Sequence, residues 1–150
     1  MLVVDASVMV KWYCVEEDTD KALLIRDEHV RGKVKITSPD LVILELANAI
    51  RYKENSTTED VDDVLSNFVR LNLDIVVPTI ELVKRASRFS FEYNTTIYDA
   101  IYLALAEELS YDFITADEKL HRKVHDLSFV RLLKEERSQK KVEFDDKRLC

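Results

Sequence analysis

The chain is short of the residues that build turns: it has one glycine and two prolines in 150 residues. Sandwiches and barrels need many tight turns, so this scarcity argues against an all-β protein and for helix-rich or α/β architecture. Cysteine is nearly absent too. Cys14 and Cys150 stand at opposite ends with no CxxC or His/Cys spacing, which removes the usual zinc signatures and leaves a reduced cytosolic setting as the default. No apolar run approaches the ~18 residues of a membrane span. The opening MLVVDASVMV carries an acid at position 5 and no basic segment, unlike a signal peptide, so a cytoplasmic location and no membrane partner are expected. An excess of positive charge is also missing. With 22 Lys and Arg against 29 Asp and Glu, the formal charge is -7 and the pI about 5.0. Non-specific adhesion to nucleic acid or anionic membrane is disfavoured. A nucleic-acid substrate is still compatible, because carboxylates loaded with divalent cations become locally neutral or positive.

What is present is a globular composition, 47% apolar and 34% charged. The length suits one domain with a real core. Short β-branched runs at Leu2–Val4, Val34–Thr37, Leu73–Val77, Asp112–Thr115 and Ser128–Arg131 read as strands. Helical spacing fills about 18–31, 41–50, 57–69, 79–91, 96–109 and 117–124. Strands alternating with helices imply a parallel sheet covered on both faces. The segment 134–150, KEERSQKKVEFDDKRLC, has six basic and five acidic residues and few apolar ones. It reads as a charged C-terminal extension, mobile or docked on a partner, to a domain spanning 1–133.

The stretch LVILELANAI, residues 41–50, is apolar except for Glu45 and Asn48. A helix apolar around its circumference is usually buried, and an unpartnered carboxylate there is costly. Three further acids stand at element ends. Asp5 follows LVV, Asp117 follows FITA, and Asp99 opens the helix YDAIYLALA. Ligands of open parallel sheets bind outside the carboxyl ends of the strands, where Asp5 and Asp117 would sit. Each acid has a plainer alternative. Asp5 and Asp117 could cap helices, Thr96–Asp99 has the form of a capping box, and Glu45 could pair with an Arg or Lys. Taken together, four acids in one cleft would repel unless a hard cation such as Mg²⁺ or Mn²⁺ joined them. Asn48, one turn after Glu45, would then orient it or reach a metal-bound water, against the alternative of an interhelical hydrogen bond.

In order along the chain, VVDASVMVKW, ELANA, YDAIYLALA and FITADEKL resemble the signatures of the PIN-domain family, particularly the VapC-like toxins of toxin–antitoxin pairs. The resemblance covers about 1–133. It implies a three-layer α/β/α sandwich around a mainly parallel sheet and a Mg²⁺- or Mn²⁺-dependent endoribonuclease. Position by position, it makes Asp5, Glu45, Asp99 and Asp117 the catalytic, metal-binding acids. Ser7 and Thr115 fall at the family's small hydroxyl positions, which support those acids, and Asn48 falls where the family often carries Asn. The resemblance further implies an RNA substrate, a small antitoxin with a basic region that would suit this acidic chain, and a homodimer. Lys11, Trp12, Lys119, His121, Arg122 and Lys123 could contact phosphates or stack a base, against the plainer alternative of solvated helix faces and a packed Trp. Two other classes stand beside this reading. One is a catalytically silent PIN-like module binding RNA or protein; the other is an aspartate-dependent phosphatase or receiver-type domain. The usual phosphatase pattern would want an acid where this chain has Ser7.

Overall fold

Strands β1 (Leu2–Val4), β2 (Ile36–Pro39), β3 (Asp74–Val76), β4 (Asp112–Thr115) and β5 (Val130–Leu132) join in one sheet of order β3-β2-β1-β4-β5. Every pairing is parallel. The structure is a computed structural model and describes residues 1–138. The expected extension therefore lies outside the described residues from 139 onward. Among the described residues seven helices flank the sheet: α1 (Ala6–Met9), α2 (Thr19–Val30), α3 (Leu41–Arg51), α4 (Thr58–Arg70), α5 (Ile80–Tyr93), α6 (Ile97–Leu109) and α7 (Glu118–Lys123). This is an α/β/α sandwich. The chain lays β1, β2 and β3 outward in one direction, then returns to place β4 and β5 on the other side of β1. The gap between the ends of β1 and β4 is thus the point where strand order reverses, the place where such sheets hold ligands.

Helix ends solve the shortage of glycine with other residues. Thr57, Thr79 and Thr96 cap the starts of α4, α5 and α6, each hydroxyl accepting a backbone N–H from the first turn. At the far ends, Asn94 after α5 and Ser110 after α6 adopt the left-handed conformation, with φ 49° and 55°. Glycine is the usual occupant of that position. The single glycine, Gly32 at φ 71°, closes α2.

Three expectations are corrected. The helix buried on all sides is α6, in which every residue from Ala100 to Ala106 is buried. In α3 only Val42, Leu46 and Ile50 are fully buried, at i, i+4 and i+8, with Leu41, Ile43 and Ala49 packed partly against the core, while Leu44 is 70% exposed. Both helices have very apolar sequences, and only their placement separates them. The second strand runs 36–39 rather than 34–37. The amides of Lys33 and Val34 are spent on the Glu28 carbonyl, closing α2, so pairing starts two residues later. None of the spans read as helical covers α1 and the 3-10 turn at Val10–Trp12 that follow β1; only the capping alternative for Asp5 implied a helix there.

No helix among the described residues is long and apolar enough to cross a membrane. Cys14 is 1% exposed and is not a free thiol, so the expectation of reduced thiols fails there.

Candidate active site

Asp5 leaves the end of β1 and caps α1, accepting the Val8 amide at 3.3 Å. Two hydroxyls complete its shell. Ser7 donates to Oδ1 at 2.5 Å and Thr115, at the end of β4, donates to Oδ2 at 2.6 Å. Asp5 is 7% exposed. Burial pushes its carboxyl up to about 6, the three hydrogen bonds oppose that rise, and the charge of Asp117 adds to it. Ser7 in turn accepts the Ala116 amide at 2.8 Å, and Thr115 accepts the Asp117 amide at 3.0 Å. The β4–α7 turn is thereby stitched to the β1–α1 turn.

Glu45 stands in the middle of α3 and is half-buried. It makes no ion pair with a lysine or arginine among the described residues. Its partner is Tyr102 of α6, whose hydroxyl donates to Oε2. Burial pushes Glu45 up to about 7; the Tyr102 hydrogen bond opposes this, and the charges of Asp5 and Asp99 add to it. Burial also raises the Tyr102 hydroxyl, as do the charges of Glu45, Asp5 and Asp99. Glu45 touches this phenol oxygen and the charges of Asp5 and Asp99 also act on it, while among the described residues no lysine or arginine pairs with any of the three.

Asp99 sits in the first turn of α6, and its amide donates to the Thr96 hydroxyl at 3.0 Å. Its Oδ2 accepts the hydroxyls of Thr96 at 2.8 Å and Thr95 at 3.1 Å. The contrast with α4 is informative. There Asp60 closes a complete capping box with the Thr57 backbone N–H, whereas Asp99 is held by hydroxyls alone. Asp117 is exposed at the rim, beside Asp5, and uses Oδ1 to cap α7 through the amides of Lys119 and Leu120. The capping alternatives for Asp5 and Asp117 are thus real, and they coexist with the gathering of the acids.

The remaining candidates separate. Ser7 and Thr115 join Asp5. Asn48 is exposed and lines a cavity of about 780 Å³ between α3 and the start of α4, with Leu44, Arg51 and Thr57. Trp12 is 2% exposed and donates its indole N–H to the Ala22 carbonyl at 2.9 Å, so it is packed and not free to stack a base. Lys11 pairs with Glu16, and Lys123 donates to the Asn94 carbonyl. Lys119 and Arg122 are exposed on α7. Tyr102 is the residue that sequence reasoning passed over. Its position, one turn after Asp99 in an apolar helix, was the available signal.

The donor set is all carboxylate oxygen, unpaired with protein cations, which suits a hard divalent ion. As they stand, no three acidic, histidine or cysteine side chains among the described residues enclose a metal. That is compatible with Mg²⁺, which takes one or two carboxylates and keeps several waters rather than filling an all-protein cage.

Ribonuclease VapC3 of Pyrobaculum aerophilum is 27% identical over 129 residues, covering 81% of this chain and 93% of that protein. Two solved structures share the fold. A toxin–antitoxin complex from Klebsiella pneumoniae superposes with a TM-score of 0.66 at 14% identity, covering 89% of this chain and 98% of that one. VapC20 of Mycobacterium tuberculosis, a sarcin–ricin loop cleaving toxin, gives 0.64 at 10% identity, covering 83% and 95%. A sequence profile of the PIN domain matches residues 2–126. The order of the strands, the acids at their ends and that match agree: the chain belongs to the PIN-domain family.

Proposed function

We propose that the chain is a Mg²⁺- or Mn²⁺-dependent endoribonuclease, the toxin of a VapBC-type pair, hydrolysing phosphodiester bonds of RNA. The observation that carries this reading is the placing of Glu45, bonded to Tyr102, within reach of the charges of Asp5 and Asp99, with no lysine or arginine paired to any of the three among the described residues. A fold does not keep such repulsion for stability alone, and perturbed carboxylates gathered at a switch point mark a functional site. Kinship with Ribonuclease VapC3 supports the substrate class.

Asp5, Glu45, Asp99 and Asp117 would hold the cation between them, one or two carboxylates directly and the others through its waters. When bound, it supplies Lewis-acid activation of water and offsets charge on the phosphodiester. The chain's own residues supply geometry. Ser7 and Thr115 fix both oxygens of Asp5, and Thr95 and Thr96 fix one oxygen of Asp99. Exposed Asp117 marks the open side from which RNA would enter. Residues 1–133 form the nuclease domain in this reading, and 134–150 are an extension. The partners are a small antitoxin with a basic region, complementary to an acidic chain, and a second copy in a homodimer. The compartment is the cytoplasm.

Purified protein should cut single-stranded RNA with Mg²⁺ or Mn²⁺ and stop with EDTA, and Asp5→Asn should abolish cutting while the fold persists. Robust cleavage by Asp5→Asn would rule out the assignment. Hydrolysis of a phosphomonoester with RNA left intact would point to a phosphatase, and RNA binding without cleavage to a silent module.

A further inference from the structure

Asp5, Asp99 and Asp117 are held by hydrogen bonds from their own turns or from an adjoining strand end. Glu45 has no such help. It lies mid-helix, on a flexible side chain, and the charges of Asp5 and Asp99 both act on it. Something outside α3 has to fix where its carboxylate points.

The Tyr102 hydroxyl donates to Glu45 Oε2, and among the described residues Oε1 takes no protein hydrogen bond. Tyr102 is itself rigidly seated. It is 2% exposed in α6, a helix packed on β1, β2 and β4. Its ring stacks on Phe113 of β4, with centroids 5.7 Å apart and 13° between planes. Phe113 is fully buried and lies two residues before Thr115, the donor to Asp5. One strand therefore sets both Asp5, through Thr115, and Glu45, through the Phe113–Tyr102 stack. On α6, Asp99 and Tyr102 are three positions apart and share a face.

We propose that Tyr102 is a positioning residue of the site: it clamps Oε2 of Glu45 from the core side and leaves Oε1 toward the space shared with Asp5 and Asp99, for a divalent cation. This rests on the divalent-cation reading given above. A buried tyrosine ordinarily needs some partner for its hydroxyl, so the alternative is that Glu45 merely satisfies Tyr102. The two differ in direction of dependence, and metal affinity tells them apart.

Mn²⁺ binding to the full chain, followed by calorimetry or by its EPR signal, tests this on wild type, Tyr102→Phe, Glu45→Gln and the double variant. Tyr102→Phe removes only the hydroxyl and keeps the stack. Loss of a partner that orients a ligand typically weakens metal binding by about 10–100-fold, so a loss of about tenfold is expected. In the Glu45→Gln background Tyr102→Phe should cost nothing further, because its action runs through Glu45. RNA cleavage by Tyr102→Phe should fall at limiting Mn²⁺ and recover at saturating Mn²⁺. Phe113→Leu, which loosens the seat of Tyr102 without touching any acid, should weaken Mn²⁺ in the same direction and serves if Tyr102→Phe does not fold. Wild-type affinity in either variant overturns the inference, as does an undiminished Tyr102→Phe loss alongside Glu45→Gln; the divalent-cation reading survives both results. A wild-type chain that binds no Mn²⁺ overturns that reading and this inference together.

Discussion

The hydroxyl of Thr115 donates to the carboxylate of Asp5 at 2.6 Å, although 110 residues separate them in the chain. The bond ties the ends of β1 and β4 together at the switch point. Thr115 is fully buried, and its oxygen also accepts the Asp117 amide. Thr115→Val deletes both interactions at nearly constant volume. Leaving buried polar groups unpaired costs about 1–3 kcal/mol, so chemical denaturation should show a loss of that size. RNA cleavage should fall at least about tenfold, as for other residues that orient a ligand. Thr115→Ser should keep both properties near wild type.

Asp5→Asn should stabilise the EDTA-treated protein at pH 8. The folded-state value of about 6 stands above the ordinary 3.8, so the folded chain holds this proton more tightly than the unfolded chain does. Above pH 6 that advantage is gone and a buried charge remains. At about 1.4 kcal/mol per pH unit, the rise corresponds to about 3 kcal/mol as a ceiling. Melting curves at pH 8 should therefore favour the variant, and the difference should shrink toward pH 4.

The same signs govern the wild type without metal. Asp5, raised to about 6, and Glu45, raised to about 7, both favour the protonated fold. Their stabilisation is fully present below about pH 4 and is lost as pH rises through 6 to 7. Mg²⁺ or Mn²⁺ should reverse this trend, because a cation binding the folded state adds stability by mass action and protons compete with it for the carboxylates. At Mg²⁺ about a hundredfold above its dissociation constant, the thermal shift would correspond to about 2.7 kcal/mol at pH 8. It should vanish near pH 5. A shift independent of pH would contradict a carboxylate site.

Ser110 ends α6 at φ 55° with a side chain that gains nothing from that conformation. A left-handed residue other than glycine costs about 1–2 kcal/mol, partly offset by the extra freedom of glycine in the unfolded chain. Ser110→Gly should raise stability by about 0.5–1 kcal/mol in urea titrations with cleavage unchanged, since the residue lies at the opposite end of α6 from Asp99.

Much of this protein is legible in one dimension. The alternation of apolar strands and helices, and the scarcity of glycine and proline, determined a parallel α/β sheet, because β-branched runs and helical spacing are local properties. The acids at Asp5 and Asp117 were visible as strand-end residues for the same reason. The burial of α6 over α3 was not visible: both are apolar, and which one the sheet covers depends on strand order. Glu45 was singled out on the premise that α3 is wholly buried, which it is not. Its half-burial arises where α3 meets α6. Asn48, three positions on, lines the cavity beside α4, an outcome that depends on where α4 packs and not on helix spacing. Tyr102 read as core and is core, with its hydroxyl aimed at Glu45. Only tertiary structure could decide that, because a hydrogen bond between α3 and α6 depends on strands laid down far apart in the chain.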